Sequence, residues 1–229
     1  MSPTSSESLA RLYRLRFEQS CSYRDDVWRV LCNEFFSRIV PEEATVLDLG
    51  AGWGEFIRNI AARRKYALDL NPDSRVRAAS DVVTLSQDCT TDWPLPPASL
   101  DVVFTSNLLE HLPSKAHVES AIAQAYRCLK PGGQLICLGP NITYVGGAYW
   151  DFWDHHIAFT DRSITELMRI SGFAVERSIE RFLPYTMSDG RRYPIAILKL
   201  YLKLPIAWRF FGKQFLVVGR KPEHEEHHG

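Results

Sequence analysis

The sequence predicts an α/β fold built on a mostly parallel, doubly wound sheet. Short apolar runs of strand length recur at 44–49, 66–70, 81–86, 100–105 and 134–138. Segments of helical character lie between them, and alternation of this kind calls for crossover connections and a parallel sheet. The polar or flexible residues Gly50, Asp69, Asp88 and Asn107 fall at or just beyond the ends of successive runs. Ligands in doubly wound sheets lie beyond the carboxyl ends of the strands, so these four positions are expected to converge.

Taken in order, the chain opens with a polar tail over 1–8. Leu9 to about Ser20 and Asp26–Val40 carry apolar residues every three or four positions, which predicts two helices. Trp28, Leu31, Phe35 and Phe36 should form the buried face of the second. Tyr13, Arg16, Tyr23 and Arg24 can either pack or cover a ligand. Pro41 closes this N-terminal helical cap (1–40), and the main domain is expected over 41–222 with a flexible tail at 223–229.

The first strand runs directly into Gly50-Ala51-Gly52-Trp53-Gly54 and a helix over 53–62. Glycine permits a tight turn and lacks the Cβ that would hold a ligand away from backbone amides. The spacing is G-x-G-x-G rather than the G-x-G-x-x-G of dinucleotide sites, and by itself it is equally compatible with a purely structural turn. Asp69, nineteen residues beyond Gly50, ends the second strand. A carboxylate there can accept hydrogen bonds from ribose hydroxyls and disfavours a 2′-phosphate, although a turn cap would use the same residue. Asp88 can accept from an adenine amino group or cap its own turn. Ser114 is placed to cap a helix reaching Leu129, ahead of Pro131-Gly132-Gly133. Thr160 or Asp161 can cap a helix to Ile170; strands are expected over 173–179 and 214–218.

Composition narrows the function. With 27 basic and 27 acidic residues, bulk charge gives no indication of nucleic acid. Cys21, Cys32, Cys89, Cys128 and Cys137 show no C-x-x-C pair or metal-ligand spacing, which suggests reduced intracellular thiols. The N-terminus has no apolar signal-peptide core, and no run reaches the roughly 18 apolar residues of a membrane span. The expected location is cytoplasmic, with contact at the inner face of a membrane left open.

Together, Val46–Phe56, Ala67–Pro72, Gln87-Asp88-Cys89, Asp101–Leu112 and Leu129–Gly133 resemble the class I S-adenosylmethionine-dependent methyltransferases. The resemblance implies a Rossmann-like sheet of seven strands with the last inserted antiparallel. It implies that Asp48 supports the cofactor loop while Gly50, Gly52 and Gly54 shape the surface under the methionine moiety. Ala51 stands at the third position of that segment and is small enough to preserve the turn. Asp69 would bind the ribose, Leu70 would flank adenine, and Asp88 with the Cys89 amide would read its edge. Asn107 and Leu108 would border the sulfonium. Related chains with such insertions act on small molecules or sugars in bacterial glycan or secondary-product pathways, which favours a small-molecule, sugar or lipid-linked acceptor.

Two insertions point to the acceptor. The connection over 140–160 is unusually aromatic; Tyr149, Trp150 and Trp153 are candidate acceptor contacts. His111, His155 and His156 are candidate bases, since imidazole titrates near neutrality. The adjacent histidines lack metal-site spacing, so no metal is expected. The second insertion, 181–212, carries Arg191 and Arg192, further candidate acceptor contacts, ahead of an apolar stretch over 195–211. From Gly190 through Pro222 there is no acidic residue. Basic residues beside apolar ones suit an anionic lipid surface or a phosphate-bearing acceptor; burial against the sheet or a second subunit in a homodimer accounts for them equally. The reaction expected is in-line methyl transfer to oxygen, nitrogen or carbon. The rivals are a nicotinamide-dependent oxidoreductase using the same turn and Asp69, and a noncatalytic cofactor-binding or assembly protein.

Overall fold

A computed structural model describes residues 6–77, 79–185 and 192–223. Its seven strands are β1 (Thr45–Leu49), β2 (Arg64–Leu68), β3 (Val82–Leu85), β4 (Leu100–Ser106), β5 (Leu129–Pro140), β6 (Ala174–Leu183) and β7 (Gln214–Arg220). They form one sheet in the order β3-β2-β1-β4-β5-β7-β6. The first five strands are parallel, and β7 lies antiparallel between β5 and β6. This is the seven-stranded Rossmann-like architecture the sequence led us to expect.

Successive residues of the central strands feed two cores on opposite faces of the sheet, as the two-residue side-chain period of a strand requires. Val46, Val102, Phe104, Ile136, Leu138, Leu216 and Val218 point to one core. Leu47, Leu49, Val103, Leu135, Cys137, Phe215 and Val217 point to the other. The first core is covered by α2 (Cys21–Glu34), α3 (Glu55–Asn59) and α8 (Ile195–Lys203). Its centre is aromatic. Phe56 and Phe104 stack with centroids 3.7 Å apart, and Trp28 and Phe36 meet them edge-on. Burial of each such side chain contributes about 1.5–3 kcal/mol. The second core is covered by α5 (Lys115–Cys128) and α7 (Asp161–Ile170).

The remaining helices are α1 (Ser6–Phe17), α4 (Pro72–Arg77), α6 (Ile142–Val145) and α9 (Pro205–Phe211). Several boundaries differ from the sequence reading. α2 begins at Cys21, and Phe35 and Phe36, although buried as expected, lie beyond its end. Leu129 pairs with Leu100, so β5 starts before the Pro-Gly-Gly turn and continues through it. β6 runs on to Leu183 because its last residue regains pairing with Gln214 after a register shift.

α7 carries a full capping box. Thr160 Oγ1 accepts from the Ser163 amide at 3.1 Å, and Ser163 Oγ accepts from the Thr160 amide at 2.9 Å. The five cysteines are free thiols, four of them buried. Among the described residues no helix is long and apolar enough to cross a membrane.

Candidate active site

The turn after β1 is drawn tight by the neighbouring strand. The Gly50 amide donates to the Leu68 carbonyl at 2.8 Å, and the Gly54 amide donates to the Ala51 carbonyl at 2.7 Å. Gly50, Gly52 and Gly54 all have positive φ, at 73°, 56° and 75°. At two of them the missing Cβ also matters for space. A Cβ on Gly50 would lie 2.8 Å from Leu108 side-chain carbons, and one on Gly52 would lie 2.8 Å from Tyr13 Cε1. Beneath the turn, burial raises the Asp48 carboxyl well above its ordinary range.

Asp69 reaches back to this turn. Its carboxylate accepts from the Gly52 amide at 2.6 Å and from the Asn71 amide at 2.6 Å. Burial nevertheless raises its pKa to about 6, outweighing those two donors. Asp69 therefore holds the turn's shape while keeping lone pairs for further donors. Leu70 beside it is 39% exposed, a free apolar surface next to the acid.

α1 lies across the turn. Tyr13 sits over Gly52 and packs against Phe17 and Trp53. Burial, with the Asp69 charge adding to it, pushes the Tyr13 phenol far above its usual range, so it is a neutral hydrogen-bonding group. Arg24 Nε donates to the buried Glu55 at 2.8 Å and its guanidinium lies over the Phe17 ring. Tyr23 Oη accepts from the Tyr193 amide at 2.9 Å. Each of the four N-terminal residues thus has a packing or pairing role, and Tyr13 and Arg16 also border the site.

At the end of β3, Asp88 Oδ1 accepts from the Thr90 amide and hydroxyl, each at 2.8 Å, so one of its oxygens caps the local turn. The buried Cys89 offers its carbonyl to Trp93 Nε1 at 2.9 Å. At the end of β4, Asn107 takes a positive φ of 51° and its side chain donates to Ser106 Oγ at 2.9 Å.

Beyond Asn107, the β4 loop meets the aromatic connection over 140–160. His111 Nδ1 lies 3.1 Å from both the Asp154 carboxylate and the Asp154 carbonyl oxygen. The Arg16 guanidinium of α1 donates to both Asp154 carboxylate oxygens, at 3.1 Å to the Oδ2 that His111 also contacts, and lies over the Phe152 ring. Burial alone would raise Asp154, but His111 and Arg16 outweigh it and hold the carboxyl well below the usual carboxylate range. Burial likewise pulls His111 down, yet bonding to Asp154 and the charge of Glu110 raise it above the ordinary imidazole value. Glu110 is itself buried, which raises its pKa.

His155 has the opposite character. It is buried against Tyr149, Phe152 and His111, with its Nδ1 unpartnered, and burial followed by the His111 charge lowers its pKa to about 4. Glu110, His111 and His155 each offer one ligand atom within 4.8 Å of the others. The side chain of His156 is exposed; only its amide takes part, donating to the Glu110 carbonyl at 2.8 Å.

The candidate acceptor contacts are scattered. Tyr149 is fully buried and donates to the Ile157 carbonyl at 2.6 Å, with Trp150 edge-on against it. Trp153 is 86% exposed. Arg192 donates to the Gln19 carbonyl, and Arg191 lies outside the described residues. A surface cavity of about 280 Å³ bordered by Arg38, Gln134, Glu176, Arg177 and Arg220 opens at the other end of the strands, and Glu176 there is paired with Arg220.

Sequence reasoning did not single out Asp154, Glu110 or Glu55. Asp154 was visible only as one of several polar residues in an aromatic stretch, and nothing local announces that it meets His111, forty-three positions away. Nor do the buried acids Glu55 and Glu110 carry a local mark, since their burial comes from partners distant in the chain.

A family profile described as a methyltransferase domain matches residues 22–178. A protein of Mycolicibacterium smegmatis named "Probable S-adenosylmethionine-dependent methyltransferase" is 33% identical over 143 residues, covering 60% of this chain and 54% of that protein. The 27-O-demethylrifamycin SV methyltransferase of Amycolatopsis mediterranei is 32% identical over 101 residues, covering 39% of this chain and 36% of that one. The chain spans about half the length, or less, of these curated relatives. Among solved structures, a SAM-dependent methyltransferase from Archaeoglobus fulgidus superimposes with a TM-score of 0.62 at 18% identity, over 92% of this chain and 98% of that one. The cyclase SpnF superimposes with a TM-score of 0.64 at 16% identity, over 96% and 97%. These structural likenesses establish the fold alone.

Proposed function

The chain belongs to the methyltransferase-domain family, and on that premise we propose that it transfers a methyl group from S-adenosylmethionine to a small-molecule, sugar or lipid-linked acceptor. The turn fits such a nucleoside. Its three positive-φ glycines let Leu108 and Tyr13 close directly over the turn, and Asp69 keeps acceptor capacity beside the apolar Leu70. Gly50, Ala51, Gly52 and Gly54 would hold the methionine end, supported by Asp48. Asp69 would hold the ribose, Leu70 and the Asp88–Cys89 backbone the adenine, and Asn107 and Leu108 the sulfonium side. When bound, this cofactor supplies an electrophilic methyl group on a positively charged sulfur.

The chain's own work is positioning and proton removal. α1 covers the turn through Tyr13 and excludes water from it. The observation that carries the catalytic reading is the bonding of His111 Nδ1 to Asp154. An acid on Nδ1 fixes the tautomer and leaves Nε2 as the basic nitrogen. In the neutral ring that nitrogen can take a proton from an acceptor hydroxyl or ammonium as the methyl group arrives. Asp154 then stabilises the resulting imidazolium. His155, neutral down to acid pH, packs the ring in place. His156, whose side chain is exposed, is the weaker candidate base.

The test is incubation of the full chain with methyl-labelled S-adenosylmethionine and a panel of hydroxyl and amine acceptors. Labelled product is expected from the wild type, and His111→Ala should reduce its rate at saturating substrates by about a hundredfold or more. A His111→Ala protein that kept wild-type turnover across pH would end the assignment of His111 as the base.

A further inference from the structure

α8 and α9 sit in the connection between β6 and β7 and turn one side inward and one side out. On the inner side Leu202 is buried, and Leu198, Tyr201 and Trp208 pack on the first core. The two helices are tied firmly to the sheet. Tyr201 Oη donates to the Phe182 carbonyl at 2.6 Å, and Trp208 Nε1 donates to the Tyr201 carbonyl at 2.9 Å. Arg181 on β6 donates to the carbonyls of Phe210 and Gly212 at 2.8 and 2.9 Å. The orientation of the outer side is therefore set by the fold.

That outer side is apolar. Ile197, Leu200 and Leu204 follow the i, i+3, i+7 stripe of one helix face, and Ile206 and Phe210 are spaced i, i+4 on the next helix, followed by Phe211. Their exposures run from 44% at Leu204 to 70% at Phe210. Large apolar side chains gathered in this way mark an interaction surface, whereas isolated ones do not. The charges carried by the segment 195–213 itself are all basic. Lys203, Arg209 and Lys213 are exposed and have no ion-pair partner among the described residues; Lys199 has only a 3.8 Å contact with Glu34 of α2.

We propose that the outer face of α8 and α9 docks on the anionic surface of a lipid bilayer, with the apolar side chains at the headgroup–acyl boundary and the basic ones among the headgroups. Charge complementarity selects this occupant. In a symmetric dimer through this face, each basic residue would meet the partner copy's equivalent region, where 190–222 contains no acid and the neighbouring Glu34 already faces Lys199. An anionic leaflet supplies both the negative surface for Lys203, Arg209 and Lys213 and the apolar layer for Phe210 and Phe211. At nine and seven residues, the helices are suited to lying in the interface plane.

Co-sedimentation of the full chain with vesicles tests this, using phosphatidylcholine alone and vesicles with roughly a third replaced by phosphatidylglycerol. Binding is expected to the anionic vesicles, falling with salt, and to be at most marginal on the neutral ones. Replacing Phe210 and Phe211 together by Ser should weaken it at least about tenfold. Replacing Lys203, Arg209 and Lys213 together by Gln should weaken it about a hundredfold. All five side chains are exposed, so thermal unfolding should stay cooperative with an unchanged midpoint in both variants. Failure to bind anionic vesicles overturns the proposal, as does unchanged binding by the folded variants. A concentration-dependent dimer dispersed by Phe210→Ser, without vesicle binding, would assign the face to a second copy instead. None of these readouts depends on methyl transfer.

Discussion

His111 and His155 have ring centroids only 4.8 Å apart, yet their surroundings drive them in opposite directions. Asp154 and Glu110 raise His111, whereas burial and the His111 charge lower His155 to about 4. Only the neutral ring can accept a proton, so the pH–rate profile separates them. With His111 as base, kcat/KM should rise with pH through a midpoint above the ordinary imidazole value of about 6.5. Asp154→Asn should move that midpoint down and lower the rate. A midpoint near 4 would transfer the role to His155. The sign for stability runs the other way. The His111–Asp154 pair supports folding while His111 is charged, and that support fades as pH rises through the raised His111 value. Asp69 gives a second pH prediction. Its pKa of about 6 means that cofactor affinity should weaken as pH falls through that value, and Asp69→Asn should abolish the dependence. Titration of the cofactor between pH 5 and 8, a range chosen to bracket about 6, would check it. At this scale the glycines and Asp69 were legible because their chemistry depends on local spacing. Asp154 was not, because its partners Arg16 and His111 come from two distant segments.

Among the elements, the strands were easiest to read, since both faces of β1, β4 and β5 are buried and the sequence there is nearly continuous in apolar residues. The start of α2 was hidden. Its N-cap residue Ser20 is of a capping type, but the hydroxyl donates back to the Phe17 carbonyl and caps nothing in α2. α7 shows the contrary case: of the two caps the sequence offered, Thr160 or Asp161, Thr160 is the one used, and Ser163 completes a capping box with it. Thr160→Ala should cost about 1 kcal/mol in chemical denaturation. α1 has a different role, held over the glycine turn by Tyr13 and by the Arg16–Asp154 pair. Gly52→Ala would drive a Cβ into the Tyr13 ring from a backbone that already has positive φ. We expect a loss of about 1–3 kcal/mol in folding stability. A denaturation midpoint equal to that of the wild type would show that α1 yields without cost.

The whole molecule combines a closely determined half with a less determined one. The sheet order, the two cores and the turn after β1 belong together, because one alternating strand pattern sets the faces and brings the strand ends into one line. The surfaces that select the acceptor follow no such rule. Tyr149 is buried with its hydroxyl on the Ile157 carbonyl, Trp150 and Trp153 are exposed, and Arg192 meets the helical N-terminal segment. Their positions depend on how the 140–160 connection and the N-terminal helices meet, and no sequence period records that contact. The β1 turn and Asp69 are proposed to bind S-adenosylmethionine. Titration calorimetry of the full chain with S-adenosylmethionine and with NAD, repeated on Asp69→Ala, tests it most directly. S-adenosylmethionine is expected to bind and NAD not to, with affinity falling about tenfold or more in the variant. Saturable binding of NAD with none of S-adenosylmethionine would contradict it.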